Sequence, residues 1–113
     1  MIMEIKKEQV NKAYGVQVSA EENGQRVGRA LLYVLYNGLH EEPFGFLEDI
    51  FVEEAYRGKG LGNQLLETAI NEAKSIGCYK LIATSRFSRP QVHEWYERKG
   101  FMKHGAEFRM DLI

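Results

Sequence analysis

Cysteine is nearly missing from this chain: Cys78 is the only one. A single thiol excludes an internal disulfide framework and any metal site built on several cysteines, and it suits a reducing compartment. The expectation is a cytoplasmic protein with no metal. Charge of one sign is equally scarce, since 15 lysines and arginines against 16 aspartates and glutamates leave a formal net charge of -1. Nucleic acid is therefore not expected as a partner, because binding to it is led by phosphate neutralisation. Any basic site has to be local. No apolar run approaches the ~18 residues of a membrane span. The N-terminus MIMEIKKEQV also lacks the apolar core of a signal peptide, so neither a membrane nor secretion is expected. Long linkers, low-complexity tracts and repeats are likewise missing. What is present is an ordinary globular composition, 44% hydrophobic and 27% charged over 113 residues. That is enough for one core, in a single domain spanning 1–113.

Apolar side chains alternate at Tyr14, Val16 and Val18, and EENGQ then places Asn23-Gly24 where a hairpin turn needs positive φ. RVGRALLYVLYNG is a second, more continuously apolar run ending at Asn37-Gly38. FGFLEDIFV is a third, whose alternation puts Phe46, Glu48, Ile50 and Val52 on one face and Leu47, Asp49 and Phe51 on the other. Three antiparallel strands are expected. The period then lengthens: Leu61, Leu65, Leu66, Ala69, Ile70, Ala73 and Ile76 recur at helical spacing, with Gly77 placed as a C-terminal cap. CYKLIATS reads as a strand, and strand, helix, strand implies a parallel pair joined by a right-handed crossover. A second helix is predicted from Ser88, where Ser88 and Gln91 have capping-box spacing and Pro90 lies in the first turn. It ends at Gly100 and carries Val92, Trp95 and Tyr96 on one face. FMKHG and EFRMDLI are predicted to close the domain as a strand pair. The fold class is thus α/β (α+β), a mixed sheet with antiparallel N-terminal strands, a βαβ parallel pair, and a C-terminal helix plus strand pair.

Between the third strand and the first helix stands YRGKGLGNQLL, Tyr56 to Leu66. A helix N-terminus offers unpaired amides and the positive end of the helix dipole, and glycines remove the Cβ atoms that would block an anion's approach. Gly58, Gly60 and Gly62 are equally compatible with a tight turn and nothing more. Their place after a strand and before a helix, together with Arg57 and Lys59, favours a ligand bearing phosphate. A Walker A string does not occur. The dinucleotide fingerprint fails as well, because Asn63 occupies its last glycine position and Tyr79-Lys80-Leu81 stands near the expected acid.

VEEAYRGKGLG resembles motif A of the GNAT superfamily of acetyl-CoA-dependent N-acetyltransferases, whose core is Arg or Gln, two residues, Gly, one residue, then Gly or Ala. Arg57, Gly60 and Gly62 fill that core. EDIFV before the loop, LLETAINEAKSIGCYKLIATS after it and RPQVHEWYERKGF extend the likeness over roughly Phe46 to Phe101, the last resembling the family's second motif. The resemblance implies the GNAT fold, acetyl-CoA as acetyl donor, and direct attack by an amine in a ternary complex. It also implies that the backbone of Arg57, Gly58, Lys59, Gly60, Leu61 and Gly62 holds the coenzyme pyrophosphate, and that Ile50, Phe51 and Val52 lend backbone groups to the pantetheine arm. Within the family the wording is similar to that of small-molecule amine acetyltransferases, including those for hexosamine phosphates and aminoalkylphosphonates.

Acetyl transfer needs a neutral amine, a polarised carbonyl and a stabilised thiolate. Tyr96 matches the family's thiol-facing tyrosine, and a phenol that ionises near pH 10 can donate to the departing thiolate; the plain alternative is an aromatic packed on a helix face. Glu48 is the candidate for receiving the amine proton, directly or through water, with Asp49 as its rival. Adjacent strand residues point to opposite faces, so only one of them is expected to reach a given pocket. His93, one turn before Tyr96, is a possible proton relay or simply a solvated side chain, and His40 and His104 lie in expected loops. Cys78 reads as a small buried hydrophobe. Arg86 and Arg89 either hold the coenzyme's 3'-phosphate or an acidic acceptor, or else sit in a solvated loop. Two positions depart from the family pattern: Glu54 stands where many relatives have proline, and Arg89 where many carry an asparagine that contacts the coenzyme.

About a dozen residues precede the first clear strand, and they are not expected to form the helix pair that usually walls the acceptor pocket in the family that the motifs resemble. The expectation is an acceptor site left open or completed by a second subunit, hence a homodimer acting on a small amine. The alternatives are a protein or peptide acetyltransferase and a non-catalytic acyl-CoA-binding module.

Overall fold

The computed structural model describes residues 2–113. In chain order the elements are β1 (Ala13–Glu22), β2 (Gln25–Leu35), β3 (Phe44–Val52), a short 3₁₀ turn (Glu54–Tyr56), α1 (Leu61–Ile76), β4 (Leu81–Ala83) and α2 (Pro90–Arg98). The strands form one sheet in the order β1-β2-β3-β4. The chain falls into two units, one ending at Ile82 and the other running from Ala83 to Ile113.

The hairpin forms as its sequence dictates: Asn23 and Gly24 take φ of 52° and 79°, the two positive values of a turn that matches strand twist. Glu22 pairs with Gln25 directly across it. β2 and β3 are antiparallel in turn, with Leu32 opposite Leu47. Tyr79 N donates to Pro43 O and Gly45 N donates to Lys80 O, so numbers rise together along both chains, the sense of a parallel pair. The sheet is mixed, as expected.

One face of the sheet carries Ala30, Leu32, Val34 and Leu47, and these are buried, as are Val27 of β2 and Leu65, Leu66, Ala69 and Ala73 of α1. Leu32, Leu66 and Val34 are sealed from solvent, each contributing about 1.5–3 kcal/mol through burial. Gly28 allows the first turns of α1 to lie close on β2, since a Cβ there would meet Leu65 at 3.0 Å and Leu61 at 3.4 Å. The start of the helix is thereby fixed against the sheet. Its end is fixed locally: Gly77 at φ 93° donates to Lys74 O while Cys78 N donates to Ala73 O, which satisfies two of the last-turn carbonyls. α2 ends the same way, with Gly100 N on Glu97 O and Phe101 N on Tyr96 O.

Four expectations are corrected. β4 is limited to Leu81–Ala83 rather than the whole of CYKLIATS. The strand pair predicted for FMKHG and EFRMDLI does not form; Phe101–Ile113 has no strand, and Phe108, Met110 and Leu112 are 94%, 81% and 83% exposed. Alternation alone makes no strand when no neighbouring backbone takes up its donors and acceptors. α2 begins after Arg89 without a side-chain cap, so the Ser88–Gln91 box is unused and Pro90, with its preset φ, opens the helix. The simple alternation predicted for β3 fails too, at a bulge in the strand.

Candidate active site

Between Arg29 and Leu31, β2 advances two residues while β3 advances three, from Phe51 back to Glu48. An extra residue is thus inserted at Asp49–Ile50, and Asp49 takes φ 58°, a left-handed conformation that aspartate tolerates better than most side chains. The bulge resets the faces. Leu47 pairs with the buried Leu32, and Val52 pairs with Gly28, whose missing Cβ points at α1; both therefore lie on the helix side. Phe46, Glu48 and Phe51 pair with Tyr33, Leu31 and Arg29 on the other side. The grouping of Val52 with Phe46 and Glu48 is corrected, and so is the separation of Glu48 from Asp49. Asp49 accepts from Arg29 Nε at 2.6 Å and Nη2 at 3.4 Å, which draws it to the face that carries Glu48. Glu48 and Asp49 are both exposed there.

Arg29 does more than pair. Its guanidinium lies 4.7 Å from the centre of the Phe51 ring, and the Asp49 carboxylate holds its pKa above the ordinary arginine value. Arg57 lies 5.5 Å from the same ring and donates through Nε to Val52 O at 2.8 Å. Ile50, Phe51 and Val52 thus stand between the bulge and the glycine loop, and the Val52 carbonyl is already engaged by Arg57.

The loop itself is built from backbone. Gly58 and Gly60 take φ of 78° and 82°, and Gly60 is the N-cap of α1 without any side-chain cap. Arg57 N is spent on Glu54 O in the 3₁₀ turn, which removes it from the predicted set of free amides. Among the described residues no carbonyl receives the amides of Gly58, Lys59, Gly60, Leu61 or Gly62. An added Cβ at Gly58 or Gly60 would meet nothing within 4 Å. These amides stand at the positive end of a 16-residue helix, a place that suits an anion. Lys59 extends its ammonium over Tyr56 at 5.8 Å.

In the second unit, Tyr96 is half-buried between Trp95, with ring centres 5.4 Å apart, and Phe101, at 5.2 Å. Burial raises the Tyr96 phenol above its ordinary pKa, and the nearby Arg89 charge offsets part of that rise. The hydroxyl is neutral at physiological pH and available as a donor. His93 Nε2 donates to Arg86 O at 2.8 Å, and Arg89 N also donates to that carbonyl. His93 therefore anchors the turn before α2. Arg89 itself is exposed. The His40 ring packs tilted against Tyr79, with ring centres 4.0 Å apart, at the end of β3 opposite the glycine loop. Cys78 packs against the core, and burial raises its thiol pKa, in keeping with its reading as a small hydrophobe. An open cleft between the β2 start and the 3₁₀ turn, lined by Gln25, Arg26, Glu53 and Tyr56 among others, contains none of the candidate site residues.

Sequence reasoning missed Arg29. Its signal was a cation inside the otherwise apolar run VGRALL, facing a strand that carries two adjacent acids.

Residues 3–101 match the profile of the acetyltransferase (GNAT) family. The chain is 41% identical over 69 residues to the glucosamine 6-phosphate N-acetyltransferase of Trypanosoma brucei brucei, covering 60% of this chain and 44% of that one. It is 33% identical over 95 residues to an aminoglycoside N(6')-acetyltransferase type 1 of Stenotrophomonas maltophilia, covering 80% and 62%. The crystal structure of a Trypanosoma brucei acetyltransferase superposes with a TM-score of 0.76 at 32% identity, over 87% of this chain and 69% of that one. The chain spans from under half to about three-fifths of the length of these two curated relatives. It belongs to the GNAT acetyltransferase family.

Proposed function

We propose that this chain transfers the acetyl group of acetyl-CoA to a small primary amine, by direct attack in a ternary complex. The observation that carries the reading is the row of unpartnered amides from Gly58 to Gly62 at the head of α1. Coenzyme A has a pyrophosphate, and the donor set and open space of the loop fit one. The thioester supplies the acetyl group. Lys59 adds positive charge beside the loop, and Ile50, Phe51 and Val52 are the candidates for backbone contacts to the pantetheine arm. Arg89 is the candidate for a further coenzyme contact.

The amine nitrogen attacks the acetyl carbon, a C–N bond forms and the C–S bond breaks. Glu48 receives the proton lost from nitrogen, directly or through water, and Tyr96 donates one to the departing sulfur. Amino sugars are the acceptor class favoured by the names of the relatives, which act on glucosamine 6-phosphate and aminoglycosides. A homodimer in the cytoplasm completes the reading; the half-exposed Tyr33 and Tyr36 support it as candidate interface residues. No helix among the described residues is long and apolar enough to cross a membrane.

The test is thiol release from acetyl-CoA in the presence of amino sugars, polyamines, aminophosphonates, amino acids and peptides. Amine-dependent release with an amino sugar is expected. Release with peptides alone would move the acceptor class to proteins. No release with any amine, beside a melting shift caused by coenzyme A, would leave only a binding module.

A further inference from the structure

The bulge carries a feature that acetyl transfer by itself does not require. Asp49 sits at φ 58° in the middle of a strand, a conformation that costs energy for any residue other than glycine and persists only where surrounding contacts hold it. The contact that holds it comes from the neighbouring strand, where Arg29 grips both carboxylate oxygens. Arg29 itself lies over the Phe51 ring, its guanidinium carbon 4.7 Å from the ring centre. The pair is 36% and 46% exposed, so water screens much of its Coulomb attraction and it adds little to global stability. Its effect is directional.

We infer that Arg29 is a positioning residue: by clamping Asp49 in the left-handed conformation it fixes the bulge that presents Glu48, and it leaves Glu48 as the one carboxylate of the two able to take the amine proton. This rests on the acetyl-transfer reading given above. The Asp49 carboxylate is occupied: its oxygens are turned to the Arg29 guanidinium, at 2.6 Å and 3.4 Å, in a charge-assisted pair that an incoming amine would have to displace. Glu48, its neighbour, has no such partner among the described ion pairs. The inserted residue also changes where the strand aims. Were the same residues paired in plain alternation, Phe51 would fall opposite Gly28, and Val52 would leave the face on which Gly28 receives α1.

The experiment compares steady-state kinetics of five variants: Glu48→Gln, Asp49→Ala, Asp49→Gly, Arg29→Met and Arg29→Lys. Glu48→Gln is expected to lower kcat by about 10²- to 10⁴-fold, the range for loss of a general base. Asp49→Ala and Arg29→Met misdirect the bulge and are expected to lower kcat by about tenfold or more, with the KM for acetyl-CoA little changed because Arg57 still holds the loop to Val52. Asp49→Gly, whose backbone takes positive φ freely, is expected to run about three times faster than Asp49→Ala or better. Arg29→Lys, which keeps the ion pair but not the planar guanidinium, is expected to recover part of what Arg29→Met loses.

An Asp49→Gly protein as slow as Glu48→Gln would make Asp49 the base and overturn the inference. So would equal rates for the glycine and alanine variants, since the left-handed backbone would then not be what the pair holds. A wild-type protein that transfers to no amine would defeat the acetyl-transfer reading instead. The clamp is then judged by the backbone amide resonances of residues 48–51. Arg29→Met must move them and Arg29→Lys must restore them; resonances unmoved by Arg29→Met would overturn the clamp.

Discussion

The two helices end alike and begin differently. Both stop at a glycine with positive φ, Gly77 and Gly100, whose following amides close back on the last turn. α1 buries Leu65, Leu66, Ala69 and Ala73, whereas α2 buries no residue completely. α1 opens on Gly60 with its amides presented to solvent; α2 opens on Arg89 and Pro90, and its candidate group is a side chain. The difference teaches a division of labour. A site made of main-chain donors has no side chain to adjust, so its precision has to come from a helix immobilised by packing. A site made of one phenol needs only a local cage, and Trp95 and Phe101 supply it.

That contrast is most exposed to test at Tyr96. If α2 contributes a proton donor, Tyr96→Phe should lower kcat by about 10²- to 10⁴-fold with coenzyme affinity unchanged. An unchanged turnover would reduce α2 to scaffolding. Next in size is the core under α1. Leu66→Ala should cost about 2–5 kcal/mol in urea unfolding and weaken coenzyme A binding with it, while Val92→Ala on α2 should cost about 1 kcal/mol. Equal losses would mean that α1 is not the better anchored helix.

The two caps give a smaller and cleaner comparison. Gly77→Ala forces a side chain into the left-handed region at a cost of about 1–2 kcal/mol, and the packed helix must bear that cost in global unfolding. Gly100→Ala makes the same demand at φ 103°, but the end of α2 can fray, so its effect on the unfolding midpoint should be less. Identical midpoints for the two variants would contradict this.

The smallest effect concerns pH. Burial raises the Tyr96 pKa in the folded chain, so above about pH 10, where an unfolded tyrosine ionises, the folded state holds the proton longer. The unfolded state then binds fewer protons, and stability falls as pH rises from that point through the folded value. Melting temperatures measured from pH 8 to 11 should fall more steeply for the wild type than for Tyr96→Phe. Parallel curves would show that the phenol is not held neutral by its cage.

Much of the fold was legible because its signals are local. Asn23-Gly24 names its own turn, the alternation of Val16 and Val18 names a strand, and Leu65, Leu66, Ala69 and Ala73 name the buried stripe of α1. The glycine loop was legible for the same reason, because Gly58 and Gly60 take a backbone region that other residues avoid. The terminal strand pair was misread because EFRMDLI has strand periodicity, and periodicity says nothing about whether a partner edge exists. The Ser88–Gln91 box was misread because Pro90 settled the helix start first.

The sequence by itself determined the first three strands, the two helices, their closing glycines and the glycine loop at the head of α1, since each depends on residues within a few positions of one another. The disposition of Glu48 and Asp49 was decided only in the tertiary structure. Strand periodicity places neighbours on opposite faces, and one inserted residue undoes that. The insertion is visible only when β3 is laid against β2, and it is held by Arg29, twenty positions away in the chain and 2.6 Å away in space. A carboxylate's chemistry depends on what lies beside it, and for these two acids the neighbours are set by pairing between strands rather than by order along the chain.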